Sequence, residues 1–378
     1  MYEGYSEIRF GERAIRMPTD IKEYWSEEVD CERFALVSAL SQTERRSVLE
    51  LYSAQHEVSV LQHPDWDQIV QINGEVRFFT YHRSGELLAY AIVRFPTRRI
   101  ARIEFGPVAV TPEASLESVR RIQRGLRETS GAWYLGLQLP WQTGKKSEFV
   151  QENLQREFGV RSFDDKRNWS SSVIDTNLTD DQIKTSFSKN HRRSLKKAEK
   201  LGLTTKVFDS DEDIYTFCDI YARMYKARGE SIDAVQNLRD YLNLRDFFRR
   251  AGEGFFFGVF RDDQLIGGMI IVRQGDYGFY HHSAGDPEHR NIPVQHLGVF
   301  SVLSVLRERN IRYFDFGGYN HMAVESDQVY NINRFKDGFT RQYIHYPKIM
   351  YLEFVPHSVT FLDRIGKVKD FVKRIIRR

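Results

Sequence analysis

The sequence is poor in cysteine and has no long apolar run, and each shortage argues against a class of protein. Only two cysteines, Cys31 and Cys218, occur in 378 residues. Their wide separation gives no CxxC site and fits a reducing compartment, in which we expect both thiols to be small core residues. No segment approaches the length of a membrane span, and the amino terminus has no apolar stretch of signal-peptide length. These features predict a cytoplasmic protein.

A strong net charge is also missing. The 55 Lys and Arg residues nearly balance the 52 Asp and Glu residues, which leaves a formal charge of +3. The chain as a whole therefore has no field for binding polyanions, and any basic function must be local. The length exceeds what one hydrophobic core usually supports, and the 41% of hydrophobic residues suffice for two packed domains.

Several catalytic motifs are absent or incomplete. There is no GxSxG nucleophile elbow and no P-loop, so no motif in the sequence indicates a hydrolase or an NTPase of these classes. "YFDFGGYN" contains Asp-Phe-Gly without the glycine-rich loop and HRD sequence of a kinase. His281 and His282 are adjacent on a predicted strand, so we expect their side chains on opposite faces. We therefore predict no metal site.

The order of predicted elements occurs twice. A series of three strands, a helix and a strand begins near residue 75 and again near residue 254. The segments "GELLAYAIV" and "DDQLIGGMI", like "SGAWYLGL" and "RNIRYFDF", lie about 178 to 179 residues apart. This repetition predicts a mixed α/β protein with two domains related by internal duplication. We place the domains at 1–165 and 166–355, followed by a helix at 356–378.

A basic helix is predicted at 181–201. Thr179 and Gln182 have the spacing of a capping box, and the segment 188–200 contains six Lys or Arg residues against the single acid Glu199. The cations recur every fourth residue in two rows: Arg192, Lys196 and Lys200, and Lys189, Arg193 and Lys197. Both rows lie on one broad face, which suits either a solvated surface or contact with phosphates of RNA, a diphosphate-linked precursor or an anionic lipid surface.

The element order is that of GNAT acyltransferases, but the coenzyme-binding turn is missing. That turn has the form R/Q-x-x-G-x-G/A, and its backbone amides meet the pyrophosphate at a helix start. The corresponding segments here are "HRNIPVQHL", which has no glycine and includes Pro293, and "FGPVAVTPEASLES". Proline removes an amide donor, so neither half offers the usual cradle for coenzyme A.

An ordered set of motifs resembles the FemXAB aminoacyltransferases. It comprises "LQHPDW", "FGPV", "HRRSLKKAEKLGL", "IYARMYKARG", "YFDFGG" and "INRFKDGF", and spans roughly residues 35 to 350. The resemblance implies tandem GNAT-like domains that move an amino acid from aminoacyl-tRNA onto an amine of a cell-wall precursor, with no metal or coenzyme. In this scheme the basic-helix residues that contact tRNA or phosphate are Lys189, Arg192, Arg193, Lys196 and Lys197.

The same resemblance assigns candidate site residues. Lys336, in the motif 331–339, matches the lysine of the family's "FK" pair, and we expect a cationic role for it rather than that of a general base. An exposed surface lysine is the alternative interpretation. Phe335 is expected to pack beside the site. The substrate-binding candidates are Arg228, with Arg223 as the alternative match, and Tyr280 and Ser283, although core packing is the preferred interpretation of Tyr280.

The chain also departs from the pattern of many family members. Phe105 precedes Gly106-Pro107-Val108 where many members have arginine, and Ala109 follows instead of a nearby acid. The stretch 188–253 is too short for the long coiled-coil hairpin of some members. Because the first domain contributes to acceptor binding in the family, these differences argue against a standard peptidoglycan acceptor.

The tail 361–378 has the pattern of a basic amphipathic helix, which either packs on the body or contacts a membrane surface.

We expect a monomer that uses aminoacyl-tRNA as donor and a phosphate-bearing or lipid-linked amine as acceptor. Peripheral contact with the inner membrane surface would follow from a lipid-linked acceptor. The alternatives are an acyl-CoA-dependent N- or O-acyltransferase acting on a sugar or polysaccharide, and a non-catalytic module that binds RNA or membranes.

Overall fold

Two β-sheets with helices on their faces make up the computed structural model, which describes residues 21–66, 74–162, 170–361 and 364. The first sheet has the strand order β1-β2-β3-β4-β5-β7-β16-β8, with β6 paired to β4. The second has the order β10-β11-β12-β13-β14-β9-β15. The fold is mixed α/β, as predicted.

The bounds of the elements are as follows. The strands of the first sheet are β1 (Glu23–Val29), β2 (Glu32–Val37), β3 (Glu75–Arg83), β4 (Glu86–Thr97), β5 (Ile100–Ile103), β6 (Val108–Ala109), β7 (Tyr134–Leu137), β8 (Arg161–Ser162) and β16 (Met350–Glu353). Those of the second are β9 (Ser170–Asp175), β10 (Thr204–Phe208), β11 (Gly254–Arg261), β12 (Gln264–Gln274), β13 (Tyr277–Gly285), β14 (Tyr313–Tyr319) and β15 (Tyr343–His345). The α-helices are α1 (Gln42–Ser53), α2 (Pro112–Thr129), α3 (Lys145–Phe158), α4 (Asp180–Ser186), α5 (Lys189–Lys200), α6 (Asp211–Ala227), α7 (Ala234–Ala251), α8 (Val294–Glu308) and α9 (Gln328–Asp337).

The internal duplication is confirmed by these elements. In both halves an antiparallel hairpin is followed by a third strand, a helix and a fourth strand parallel to the third: β3 to β7 with α2, and β11 to β14 with α8. The first residues of β4 and β12 are Glu86 and Gln264, and those of β7 and β14 are Tyr134 and Tyr313. Their separations, 264 − 86 = 178 and 313 − 134 = 179 residues, match the spacing read from the sequence.

The last strand crosses between the halves. Strand β16 pairs antiparallel with β7, placing Leu352 opposite Leu135 in the first sheet. Residues 350–353 lie within the range 166–355, which the sequence assigned to the second domain, so that division does not describe the strand pairing at this end of the chain. The predicted boundary near residue 165 and, apart from 361 and 364, the tail 361–378 with its amphipathic pattern lie outside the described residues.

The two halves differ where their parallel strands separate. Strands β13 and β14 pair only over three residues each, Tyr277–Phe279 and Tyr313–Asp315, and their remaining residues are not paired with each other. In the first half the Gly106 N–H donates to the Gln138 carbonyl oxygen at 2.9 Å, which ties the chain after β5 to the end of β7. Among the described residues, the parallel strands therefore separate in the second half and not in the first.

The segment "LQHPDW" joins the halves. His63 packs edge-on between Tyr52 of α1 and Phe247 of α7, at ring-centroid distances of 5.0 and 4.9 Å. Trp66 contacts the same Phe247 at 6.1 Å and His281 of β13 at 6.0 Å. Because these aromatic contacts span both sheets, this segment of the first half lies beside the separated strands of the second.

Two expectations about single features have different outcomes. Cys218 is buried as predicted, but Cys31 is exposed, because it lies in the tight turn between β1 and β2. In the described ranges, no helix combines the length and apolar character needed to cross a bilayer.

Candidate active site

Lys336 lies in the interior of the second half. Only 7% of the residue is exposed, and its Nζ donates hydrogen bonds to the carbonyl oxygens of Gly317 at 2.9 Å and Gly318 at 2.6 Å. Asp315 is buried beside it, where its carboxylate accepts the Gly317 N–H at 2.7 Å and the Ser171 hydroxyl. The interpretation of Lys336 as an exposed surface residue is therefore wrong.

A backbone irregularity makes this arrangement possible. Successive carbonyls of a regular strand point in opposite directions, so they cannot both meet one ammonium group. The pairing of β14 with β9 breaks between Asp315 and Gly318, and Gly317 has a φ of 73°. Residues with a Cβ atom rarely adopt this left-handed conformation, which explains the glycine. The bulge turns two adjacent carbonyl oxygens toward Lys336.

Burial changes the proton affinity of both charged groups. Loss of solvent lowers the pKa of Lys336 to about 8, an effect that the neighbouring Asp315 carboxylate opposes. Burial raises the pKa of Asp315, whereas the hydrogen bonds from Ser171 and Gly317 and the charge of Lys336 lower it. With a pKa near 8, Lys336 is mostly protonated at neutral pH, which favours the cationic role over that of a general base.

Asp337 stabilises the end of α9. Its carboxylate accepts hydrogen bonds from the hydroxyls of Tyr319 at 3.0 Å and Tyr343 at 2.8 Å. Tyr319 ends β14 and Tyr343 begins β15, so one carboxylate connects the helix to two strands.

Phe335 belongs to an aromatic cluster that connects α9 to the basic helix. Its ring is half-buried and lies 5.6 Å from His191, 5.5 Å from His296 and 5.0 Å from Phe339, measured between centroids. The His191 Nε2–H donates to the Phe335 carbonyl oxygen at 3.0 Å. Because a carbonyl oxygen only accepts, this bond assigns the His191 tautomer. The first turn of α5 is thereby attached to α9, one residue before Lys336.

The predicted helix at 181–201 is two helices. The Thr179 and Gln182 capping box is confirmed and begins α4, which ends at Ser186. Phe187 then adopts an extended conformation and inserts into the core with 2% exposure, and Ser188 caps α5 by accepting the His191 N–H. The break arises because Phe187 gains more from core burial than from continuing the helix.

Two of the predicted cations already have partners. The Lys197 Nζ donates to the Asn291 carbonyl oxygen at 2.8 Å, in the loop before α8. The Arg192 guanidinium donates to the carbonyl oxygens of Thr185 at 3.2 Å and of Phe187. These carbonyls lie at the end of α4, so Arg192 satisfies acceptors that the helix leaves without partners.

Three other cations of α5 face solvent. Lys189, Arg193 and Lys196 are exposed, and no hydrogen bond or ion pair engages their side chains within the described ranges. The buried residues of α5 are Leu195 and Ala198, so the helix packs through a narrow apolar stripe. The free cationic face predicted from the sequence is therefore present, with three of the five candidate residues available.

The two arginine candidates have different surroundings. Arg223 forms a bidentate ion pair with buried Asp286, at 2.7 and 3.1 Å, and contacts Asp219 and Glu288. Arg228 caps the end of α6, is exposed, and has its guanidinium 5.9 Å from the Tyr225 ring. In the part of the chain that the structure describes, no carboxylate neutralises Arg228, so it is the arginine more available to an anion.

Strand β13 differs from expectation at its histidines. Ile270 pairs with His282 and Ile271 with Tyr280, so His281 is an extra residue in a bulge. The imidazoles of His281 and His282 consequently stack, with centroids 4.2 Å apart and planes at 12°. The expectation of opposite faces was wrong, because it assumed an unbroken strand. No group of three His, Cys, Asp or Glu suited to a metal ion occurs among the described residues.

Tyr280 and Ser283 lie on the part of β13 that pairs with β12 but not with β14. The Tyr280 hydroxyl donates to the Gln295 side-chain oxygen at 2.9 Å, and its ring packs against Phe314 and Phe316. These contacts agree with the core-packing interpretation of Tyr280. Ser283 lies opposite Met269, is partly exposed and hydrogen-bonds to Tyr280.

Sequence reasoning missed the residues that position Lys336. Asp315 and Ser171 hold the bulge, His191 binds the Phe335 carbonyl oxygen of α9, and Asp337 attaches the end of α9 to two strands. One signal was visible, since Asp315 is a carboxylate between two phenylalanines in "YFDFGG" and must be buried with them. The contacts of Ser171 and His191 cross more than 140 positions of sequence and had no local signal.

The helix starts next to the parallel strands offer few free amides. Before α8, Pro293 has no N–H, the Val294 N–H donates to Ile292 O at 2.9 Å and the His296 N–H to Pro293 O at 3.2 Å. Before α2, the Thr111 hydroxyl accepts the Ala114 N–H, and Pro112 has no N–H. A pyrophosphate cradle built from amides is thus reduced in both halves.

Comparison with known proteins agrees with this architecture. Residues 185–336 match the family model described as an acetyltransferase (GNAT) domain, and the match ends at Lys336. The structure of FemX is similar, with a TM-score of 0.71 and 13% identity, covering 82% of this chain and 96% of that one. No curated protein sequence matches significantly.

Two further structures resemble the chain. The C-terminal domain of a putative lysylphosphatidylglycerol synthetase from Agrobacterium fabrum has a TM-score of 0.55 and 14% identity, covering 86% of this chain and 97% of its own. L-PGS from Bacillus licheniformis has a TM-score of 0.54 and 11% identity, with coverage of 86% and 96%. At these identities the likeness concerns the fold. The chain has the FemX-like tandem GNAT fold, an acyltransferase architecture.

Proposed function

We propose that the protein transfers an aminoacyl group from aminoacyl-tRNA to an amine of a cell-wall, peptidoglycan-precursor or related peptide acceptor. The observation that carries the proposal is the position of Lys336, a buried ammonium at the separated strands of the second half, beside a helix with free cations. His191 links these two features through the Phe335 carbonyl oxygen.

Direct aminolysis needs little chemistry from the protein. The neutral acceptor amine attacks the ester carbonyl carbon, the carbonyl oxygen becomes an oxyanion, and the carbon–oxygen bond to the terminal ribose then breaks. The proton lost by the amine leaves with the ribose hydroxyl. No covalent enzyme intermediate is required. Lys336 would hold the bulge at Gly317 in place and counter the negative charge of the oxyanion, and the Phe335 ring would line the site.

The free face of α5 suits the donor. Lys189, Arg193 and Lys196 present cations to solvent, and such side chains bind the phosphates of RNA without regard to sequence. Lys197 and Arg192, also candidates from the sequence, have structural partners and would contribute mainly through their charge. The reduced amide cradle before α8 supports a donor other than coenzyme A.

The acceptor is expected to carry an anionic group. Arg228 is exposed at the end of α6 and forms no ion pair among the described residues, so it would bind a phosphate of a nucleotide-linked or lipid-linked amine. Two similar structures have lysylphosphatidylglycerol synthetase or L-PGS in their names, which is compatible with a lipid-linked acceptor. A cytoplasmic monomer that contacts the inner membrane surface would meet both substrates.

A transfer assay tests this function. Purified protein would be incubated with a panel of tRNAs charged with radiolabelled amino acids and with nucleotide-linked, lipid-linked and peptide amines. We expect label to move from RNA to one acceptor, and the Lys336→Met variant to lose that activity. Absence of transfer across the panel, with the charged tRNAs intact, would contradict the proposal.

The alternative is an acyl-CoA-dependent N- or O-acyltransferase acting on a sugar or polysaccharide precursor. Its support is the acetyltransferase description of the family model. Calorimetry with coenzyme A separates the two, since micromolar binding favours the alternative. A non-catalytic RNA- or membrane-binding module would instead bind tRNA or vesicles and show no turnover with either donor.

A further inference from the structure

A small pocket lies at the junction of the two halves and is partly open to solvent. The lining residues are Glu57, Val58, Ser59, Phe105, Pro140, Gln274, Tyr277 and Tyr346. Its free space is about that of a water molecule, which suits the ammonium end of a side chain rather than a sugar or nucleotide.

Contacts between the halves hold Glu57 in this pocket. The Asp276 N–H donates to the His56 carbonyl oxygen at 3.0 Å, and a Cβ added to Gly275 would lie 2.2 Å from that oxygen. The side chains of His56 and Asp276 also meet, at 3.1 Å. Glu57 is therefore fixed opposite the start of β13 by a close backbone approach that requires glycine at position 275.

Two polar contacts order the pocket wall. The Glu57 carboxylate accepts a hydrogen bond from the Gln142 backbone N–H, and the Gln142 side chain donates to the Tyr277 hydroxyl at 2.5 Å. Among the described residues no cation forms an ion pair with Glu57, although the charges of exposed Lys146 and His56 act on it. Burial correspondingly raises the pKa of the Glu57 carboxyl.

Three aromatic residues form much of the remaining wall. Phe105 and Tyr346 meet edge to face with centroids 5.6 Å apart, and Tyr277 forms another wall. Besides burial, the Asp315 and Glu57 charges raise the pKa of the Tyr346 phenol. The pocket thus combines three aromatic rings with one carboxylate that forms no ion pair among the described residues.

We propose that this pocket binds a non-reacting ammonium group on one of the substrates. A carboxylate ringed by aromatic faces attracts an organic cation through its charge and through cation–π contact. A phosphate or carboxylate would be repelled, and an apolar group would leave Glu57 desolvated without a partner. The bound amine is not the nucleophile, because Glu57 favours the charged form and an attacking amine must be neutral.

The residue at position 105 affects the net charge inside the pocket. Phe105 stands where many members of the resembled family have arginine, and it lines the pocket in this chain. An arginine there would bring a guanidinium to the Glu57 carboxylate and remove the need for an ammonium from the ligand. Phe105→Arg is therefore expected to abolish the preference for cationic ligands.

The binding experiment uses the full chain and two matched probes. N-acetyl-lysine methylamide carries the ammonium, and N-acetyl-norleucine methylamide has a similar shape without it. By calorimetry we expect the lysine probe to bind at least tenfold more tightly, and Glu57→Gln to remove that difference. Glu148→Gln, an exposed acid on α3, is the control and should change nothing. Equal binding of both probes, or a folded Glu57→Gln variant with wild-type preference, overturns the inference.

A kinetic arm identifies which substrate carries the ammonium, and this part rests on the proposed function. Donors charged with lysine or alanine, and acceptor peptides with or without a second amine, would be compared in the wild type and Glu57→Gln. KM should rise about tenfold only for the substrate that bears the extra ammonium. If no donor supports transfer, the proposed function fails while the probe result stands. If transfer occurs and Glu57→Gln leaves every KM unchanged, the ammonium pocket alone fails.

Discussion

Asp315 and Lys336 bind the same residue, Gly317, through opposite ends of its backbone. The Asp315 carboxylate accepts the Gly317 N–H at 2.7 Å, and the Lys336 ammonium donates to the Gly317 carbonyl oxygen at 2.9 Å. Two buried charges of opposite sign thus fix the glycine bulge at which the parallel strands separate. Removing either charge would leave the other buried without its partner, which is more costly than losing an exposed pair.

Substitutions of Lys336 separate charge from shape. Lys336→Met keeps the apolar stem, and its kcat should fall by about 10² to 10³, as for loss of one oxyanion donor. Lys336→Arg keeps the charge on a planar fork and should recover part of that loss. Steady-state transfer kinetics measure both. A loss confined to KM would indicate acceptor anchoring, and a folded Met variant within about twofold of wild type would remove Lys336 from the site.

The pH dependence of kcat tests the protonation state of Lys336. Burial lowers its pKa from the ordinary 10.5 to about 8, so the ammonium is lost as pH rises through 8. We expect kcat to rise with deprotonation of the acceptor amine and then fall with an apparent pKa near 8. Lys336→Arg should lack the falling limb, because a guanidinium stays charged. A falling limb that persists in the arginine variant would assign it to another group.

The same shift predicts an effect on stability. Between pH 8 and 10.5 the unfolded chain binds more protons at Lys336 than the folded chain does. The contribution of this group to the free energy of unfolding therefore rises with pH across that window. Denaturant titrations at pH 8 and pH 10 should show the rise in the wild type and not in Lys336→Met; an equal rise in both would contradict the shift.

Gly338→Ala tests the link between the basic helix and α9. A Cβ at position 338 would lie 2.1 Å from the His191 ring, whereas the backbone there, with φ of −67°, tolerates alanine. We expect a loss of about 1 to 3 kcal/mol in the free energy of unfolding, and lower kcat as α9 shifts. Gly131→Ala is the control, since its nearest atom lies at 3.7 Å. Adding His191→Ala should restore part of the stability if the clash is the cause.

Charge reversal on α5 should separate binding cations from structural ones. Lys189→Glu, Arg193→Glu and Lys196→Glu together should weaken tRNA binding and reduce its salt dependence, with the melting temperature unchanged. Arg192→Ala should instead lower stability, by about 0.5 to 2 kcal/mol, because Thr185 O and Phe187 O lose their donor. Filter binding over a salt series and thermal melts give the two readouts. Salt-insensitive binding in the wild type would exclude phosphate contact.

The two arginine candidates should behave differently. Arg228→Ala should leave the free energy of unfolding within about 0.5 kcal/mol and raise KM for a phosphate-bearing acceptor by about tenfold or more. Arg223→Ala should lower stability by about 1 to 3 kcal/mol, because buried Asp286 loses its bidentate partner. A stability loss in Arg228→Ala, or a KM effect in Arg223→Ala alone, would reverse the assignment.

The sequence by itself determined the features that depend on neighbouring residues. The repeated order of strands and helix follows from hydrophobic periodicity. The capping box of Thr179 and Gln182 predicts the start of α4, and cations at every fourth residue predict the cationic face of α5. Each involves residues within a few positions of one another, and each is present in the structure.

Only the tertiary structure decided how those elements are used. The bulges at His281 and Gly317 depend on strand pairing, and the return of β16 to the first sheet joins segments more than 200 residues apart. Lys336 can be buried because two carbonyl oxygens of β14 accept its hydrogen bonds in place of water. Lys197 is held because its Nζ donates to a carbonyl oxygen in the loop before α8. Such contacts are set by packing between remote segments, so no local pattern in the sequence encodes which cation is free and which is held.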